Sequence, residues 1–184
     1  MKRNKTLVWI FLIGIVTLFA QCKDSGEELK PDDENELITT VKLTFTESGT
    51  SNALTFQFKD LDGDGGNPAS RFDTIALKAD VSYKLDVEFL DESKTPAENT
   101  TEEIKKESDE HLIVFTSNPA ALLTYTYGDK DVNNFPIGLT GTAKTGTPGE
   151  GKLTVQLRHQ PGVKNGTPSP GSDDARLDFI LKVK

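Results

Sequence analysis

The feature that most constrains this chain is a two-residue alternation of apolar and polar side chains. Val81, Tyr83, Leu85, Val87 and Phe89 alternate with Ser82, Lys84, Asp86 and Glu88. Successive side chains of a strand point to opposite faces, so this pattern specifies one buried face and one wet face. Val41, Leu43 and Phe45 alternate in the same way, followed by Leu54, Phe56 and Phe58, then Ile75 and Leu77. Similar runs lie at 111–116, 122–127, 137–143, 152–159 and 175–183, separated by clusters of Gly, Pro, Asn and Asp. Eight or nine such strands predict an all-β domain over residues 37–184. The pattern fits an antiparallel β-sandwich, Ig-like in outline.

One segment breaks the alternation. Thr100-Thr101-Glu102-Glu103 has the spacing of a capping box and opens the polar run TEEIKKESDE, which predicts a helical insert of one or two turns on the surface. Two stretches, 60–73 and 160–174, read as long loops. Long loops on a rigid sandwich are where binding sites are usually built.

The N-terminal region has a different character. Lys2, Arg3 and Lys5 precede an uncharged apolar run, TLVWIFLIGIVTLFA. That run is shorter than the ~20 residues needed to span a bilayer as a helix, and it fits the apolar centre of an export signal. It ends in Leu18-Phe19-Ala20-Gln21-Cys22, which resembles the bacterial lipobox, with Phe19 and Gln21 departing from the commonest residues. The resemblance implies a lipoprotein signal peptide at 1–21 and an acylated, palmitate-bearing Cys22 at the mature N-terminus. An uncleaved anchor helix is the competing reading, disfavoured by the short run and the polar sequence after it. Cys22 is the only cysteine, so no internal disulfide can form. Residues 22–36 contain seven acids together with Gly26 and Pro31, the composition of a flexible tether. Lys23-Asp24 followed by acids resembles the surface-export signal of Bacteroidota lipoproteins, although a plain solvated spacer has the same composition.

Charge narrows the partners. The formal net charge is −8, and cleavage would remove Lys2, Arg3 and Lys5 but no acid, leaving −11. Such a chain is a poor partner for nucleic acid, whose phosphates require Lys and Arg. It is equally unsuited to docking on anionic lipid through its folded surface, so membrane attachment is expected through the N-terminal lipid alone.

Two constellations carry candidate chemistry. Asp60, Asp62 and Asp64 alternate before Gly65, like the opening of a calcium loop. An EF-hand is excluded because Arg71 stands where its bidentate Glu belongs, leaving a looser calcium site or a solvated acidic turn. The run at 129–134 (DKDVNN) lacks the glycine and reads as a plain turn. The second constellation is the two histidines. His111 is in phase with Ile113 and Phe115, and His159 with Leu153, Val155 and Leu157, which places both at the apolar edge of strands. With nearby carboxylates they could bind a transition metal, or each could be satisfied separately. In either case burial would make the region acid-sensitive. Hydrolase, P-loop, zincin and dinucleotide-binding motifs are absent from the sequence, and no carboxylate pair is singled out for glycan hydrolysis. Asp73-Thr74-Ile75 resembles the O-glycosylation tripeptide of Bacteroidota exported proteins.

Several stretches together resemble small Bacteroidota lipoproteins of unknown function: ELITTVKLTFT, DLDGDGG, FLDESKTPAENTTEEIKKESDEH, IGLTG, LTVQLRHQPG and the acidic, Gly-rich approach to the last strand. The resemblance implies an outer-membrane or surface lipoprotein with a β-rich domain, facing the periplasm or the exterior, and fixes no activity. Some members carry a type 1 periplasmic binding fold label. That fold needs α/β alternation over a longer chain, which this sequence lacks. The expectation is a non-enzymatic binding or accessory module, with an unknown ligand or an outer-membrane protein, such as a TonB-dependent importer, as partner. A metal-binding lipoprotein, with calcium as cofactor or a transition metal at the histidines, and a glycan-acting hydrolase are the alternatives.

Overall fold

A computed structural model describes residues 37–63 and 66–184. The signal peptide, Cys22, the tether, Asp64 and Gly65 lie outside the described residues. The elements run β1 (Thr40–Glu47), β2 (Ala53–Lys59), β3 (Arg71–Phe72), β4 (Ile75–Leu77), β5 (Ser82–Leu90), α1 (Thr101–Lys106), β6 (His111–Asn118), β7 (Leu123–Tyr127), β8 (Thr140–Thr145), β9 (Gly149–His159) and β10 (Ser172–Val183). A single 3-10 turn, Ala120–Leu122, precedes β7.

The strands form two sheets, one of six in the order β3-β2-β1-β5-β8-β7 and one of four in the order β4-β10-β9-β6. The fold is therefore an all-β sandwich. All pairings are antiparallel except β4 with β10, which is parallel. The core is built as the alternation requires. Leu43, Phe45, Leu85 and Phe89 of the larger sheet face Ile113, Leu153, Leu157, Phe179 and Leu181 of the smaller, all of them fully buried. Among the described residues, this core is built from both sheets and from Ile104 of α1. Among the described residues no helix is long and apolar enough to cross a membrane.

The chain changes sheets between β3 and β4, in the two residues Asp73 and Thr74. Asp73 fixes this corner. Its backbone N–H donates to Gln57 O at 3.0 Å, and its carboxylate accepts from Gln57 N at 2.9 Å and pairs with Arg71 at 2.8 Å. The Arg71 guanidinium holds the Asp73 carboxyl below the usual carboxylate range. Thr74 of the glycosylation-like tripeptide is exposed, while Ile75 is buried.

The structure departs from the sequence expectations in several places. The helix forms at Thr101–Lys106, but its N-cap residue, Thr100, has helical dihedrals and makes no side-chain cap bond, so the capping box is not built. Thr101 is held by β5 instead: its hydroxyl donates to Phe89 O at 3.0 Å and accepts from Phe89 N at 2.8 Å. Ile104, the helix's only apolar side chain, is fully buried in the core. Leu54, in phase for burial, is exposed at the start of β2, where residues 53–55 are all exposed. The last strand begins at Ser172, which shortens the long loop before it.

Candidate functional site

The candidate residues gather at the end of the sandwich where β1 and β10 begin and β2, β6 and β9 meet their loops. The histidines, separated by 48 positions in sequence, are direct cross-strand partners of β6 and β9. Their rings stack, with centroids 5.0 Å apart and an 11° angle between planes. The reading of two separate edge histidines is thus replaced by a pair. His111 is 1 % exposed, and its Nδ1 lies 3.1 Å from Glu107 O. A carbonyl oxygen can only accept, so Nδ1 carries the hydrogen and Nε2 faces inward.

What the pair faces is Asp174, a residue the sequence did not single out. The β9–β10 register shifts between Asp173 and Ala175, leaving Asp174 as the extra residue of a bulge. A bulge re-aims a side chain, and here it turns the Asp174 carboxylate inward to complete burial. His111 Nε2 lies 3.6 Å from Asp174 Oδ2, and His159 Nδ1 lies 4.0 Å from Oδ1. Glu110 Oε2 lies 3.9 Å from His159 Nε2. These are ion-pair separations, longer than hydrogen bonds. Among the described residues, no group of three or more His, Cys, Asp or Glu side chains is placed to hold a metal ion.

Of the acidic turn, Asp60 and Asp62 lie among the described residues and Asp64 does not. Asp62 Oδ2 accepts from Asn67 N at 2.9 Å and from Asn67 Nδ2 at 2.7 Å, and these bonds lower its pKa. One carboxylate is thereby used to close the turn. Asp60 keeps its side chain within reach of Asp62. Its N–H donates to Thr39 O at 2.8 Å, and its Oδ1 is buried without a hydrogen-bond partner. The run at 129–134 is a turn, as its sequence suggests. Asp131 Oδ1 accepts from Asn133 N and Phe135 N, both at 2.9 Å, and Oδ2 pairs with Lys164 Nζ at 2.8 Å. Tyr125 and Tyr127, in phase for the core, are half-buried and exposed respectively, with their hydroxyls donating to Gly138 O and Ile113 O; desolvation of the phenols, aided by the charge of Asp129, pushes both up.

Asp60 and Asp174 line one open pocket of about 350 Å³, which lies between the two sheets. Ile38, Val41 and Phe58 form one wall, and Ala175 and Leu177 belong to the other. Part of that second wall is held by side chains the sequence did not reveal. Arg158 pairs with Asp173 and donates to Pro170 O at 2.8 Å and Gly171 O at 2.6 Å. Buried Gln160 donates to Thr167 O and Pro170 O, both at 2.9 Å. Together they pin the 160–171 loop against the start of β10. The signal for them is present in LRHQPG, where Arg158 and Gln160 occupy the polar phase at a strand end, but the burial of both depends on where that loop folds.

Comparison with protein-family models, characterised proteins and solved structures finds no match for this chain.

Proposed function

We propose that this chain is a lipid-anchored, non-enzymatic binding module of the outer membrane or cell surface, and that the pocket between its sheets is where it binds. The observation that carries the reading is the pocket itself: about 350 Å³, with Ile38, Val41 and Phe58 on one wall, Ala175 and Leu177 among charged residues on the other, and Asp60 in its lining. Volumes of this order and mixed linings of this kind suit ligand sites. The lipobox-like end at Cys22, the long loops and the absence of catalytic motifs in the sequence support the same reading. An outer-membrane importer is the neighbour such a module would serve. Binding accounts for the pocket better than hydrolysis does. Asp173 is engaged by Arg158 and Gln156, and the Asp174 oxygens are sealed from solvent, so neither is placed to reach a glycosidic oxygen.

Two measurements test this. Mass spectrometry of the mature N-terminus is expected to find acylated Cys22, and an intact Met1 would overturn the anchor. Ligand-observed NMR with a fragment library is expected to give hits that Ala175→Trp, which fills the pocket, abolishes. A library giving no hits, or hits that survive Ala175→Trp, would remove the pocket as the binding site.

A further inference from the structure

The lining of the pocket follows β10 residue by residue: Asp173, Asp174, Ala175, Arg176 and Leu177 all border it. A cavity against the face of a strand meets every second residue, whereas a cavity against its edge meets all of them. The pocket therefore lies along the edge of β10. On one side β10 is fully paired, with β9. On the other it is paired only at Leu181–Val183, by the three residues of β4. Among the described residues, Asp173–Ile180 has no strand on that side. In an antiparallel pair alternate residues turn their N–H and C=O away from the partner, so this stretch presents a row of free backbone groups to the pocket. The missing position is the continuation of β4, and the start of β1 and the end of β2 form the opposite wall.

We propose that the pocket is a strand-acceptor groove that takes an extended, basic peptide segment of a partner protein, which pairs with the open edge of β10 and extends the four-stranded sheet. This rests on the pocket being the binding site and specifies what it binds. Main-chain pairing would supply affinity, and alternate side chains of the guest would rest on Val41, Phe58 and Leu177. Charge selects the guest. Asp60 lines the groove with its Oδ1 unpartnered, Asp173 is already paired with Arg158, the Asp174 carboxylate is turned to the histidine pair, and Arg176 is the only cation among the described lining residues. The charge of −11 left after signal removal favours a basic guest from a distance as well. The same argument disfavours self-occupancy by residues 23–36, which bring seven acids against two lysines.

The test uses the full-length chain in detergent micelles, hydrogen exchange read by mass spectrometry, and three capped peptides of about six residues: alternating Lys and Val, alternating Glu and Val, and the Lys–Val peptide methylated on its backbone nitrogens. The Lys–Val peptide is expected to slow exchange across 173–180. The Glu–Val peptide should bind at least tenfold more weakly, and the methylated peptide should give no protection. Asp60→Asn should weaken the Lys–Val peptide about fivefold without changing the melting temperature in the absence of peptide. Protection that falls elsewhere, or is absent, overturns the proposal. Equal binding of the Glu–Val peptide overturns the charge argument, and equal protection by the methylated peptide overturns strand pairing. Fragment hits lost in Ala175→Trp without peptide protection would sink strand addition while leaving the pocket as a binding site. Failure of fragments and peptides alike would sink both.

Discussion

Lys164→Met is the sharpest test of how the loops at this end are held. The Lys164 and Asp131 side chains are 2 % and 0 % exposed, with 2.8 Å between Nζ and Oδ2, and Nζ also donates to Ser108 O at 2.7 Å. Removing the cation leaves a buried carboxylate without its counter-charge, which costs about 3–5 kcal/mol. At ~2–4 °C per kcal/mol for a domain of this size, the melting temperature should fall by roughly 10 °C at neutral pH. In the double variant Lys164→Met/Asp131→Asn the amide oxygen can still accept from Asn133 and Phe135, and no charge is stranded. Most of the loss should then return, leaving a deficit of about 1 kcal/mol. A pH series adds an independent check. Burial pushes the Asp131 carboxyl up, but Lys164 and the turn N–H groups outweigh it, so the net direction in the folded chain is down. A carboxyl depressed on folding stabilises above its unfolded value of ~3.9, and that contribution is lost as pH falls through the folded value. Without Lys164 burial wins and the carboxyl is pushed up, so the gap between wild type and variant should narrow from pH 7 to pH 4. Denaturation melts of the three proteins measure all of this. The reasoning is refuted if Lys164→Met costs less than about 1 kcal/mol, or if the double variant is no more stable than the single one.

Three further outcomes can be checked by the same melts or by fractionation. Gly138 has φ +98°, and a Cβ there would lie 2.7 Å from Ile113 O, so Gly138→Ala should cost about 2–4 kcal/mol. Ile104→Ala should cost a similar ~2–4 kcal/mol although the helix is otherwise polar, because Ile104 is fully buried. Cys22→Ser should shift the protein from the membrane to the soluble fraction with its melting temperature unchanged, since the described core is formed by the two sheets and α1; an unfolded product would show that the anchor is not separable from the fold.

Much of this fold is legible because alternation is a local signal. Val81–Phe89 identifies β5 without knowledge of any neighbour, since β5 sits inside the larger sheet with one face on the core. Leu54 misleads because burial at that end of β2 depends on what packs over it, and the capping box because Thr100 takes helical dihedrals and makes no side-chain cap bond. The site is harder to read. Stacking of His111 on His159 requires the β6–β9 register, which joins segments 48 positions apart. The burial of Asp174 requires a bulge, and nothing in the run SDDARL distinguishes the acid that turns inward from the one that pairs with Arg158. The pocket is the least legible of all, being defined by the shortness of β4 rather than by any residue.

The position of β1 has a mechanical consequence. The described chain enters the sandwich at Leu37 and passes directly into a strand with neighbours on both sides: seven residue pairs with β2 and eight with β5. A pull on the N-terminus directed along this strand loads both ladders in shear, so many hydrogen bonds must fail together. An edge strand pulled sideways would unzip one bond at a time. A chain loaded through its N-terminus along β1 would therefore hold its sheet together to high force. In a force experiment, attachment through the N-terminus should rupture at higher load than attachment through β3 or β7, the two edges of the same sheet.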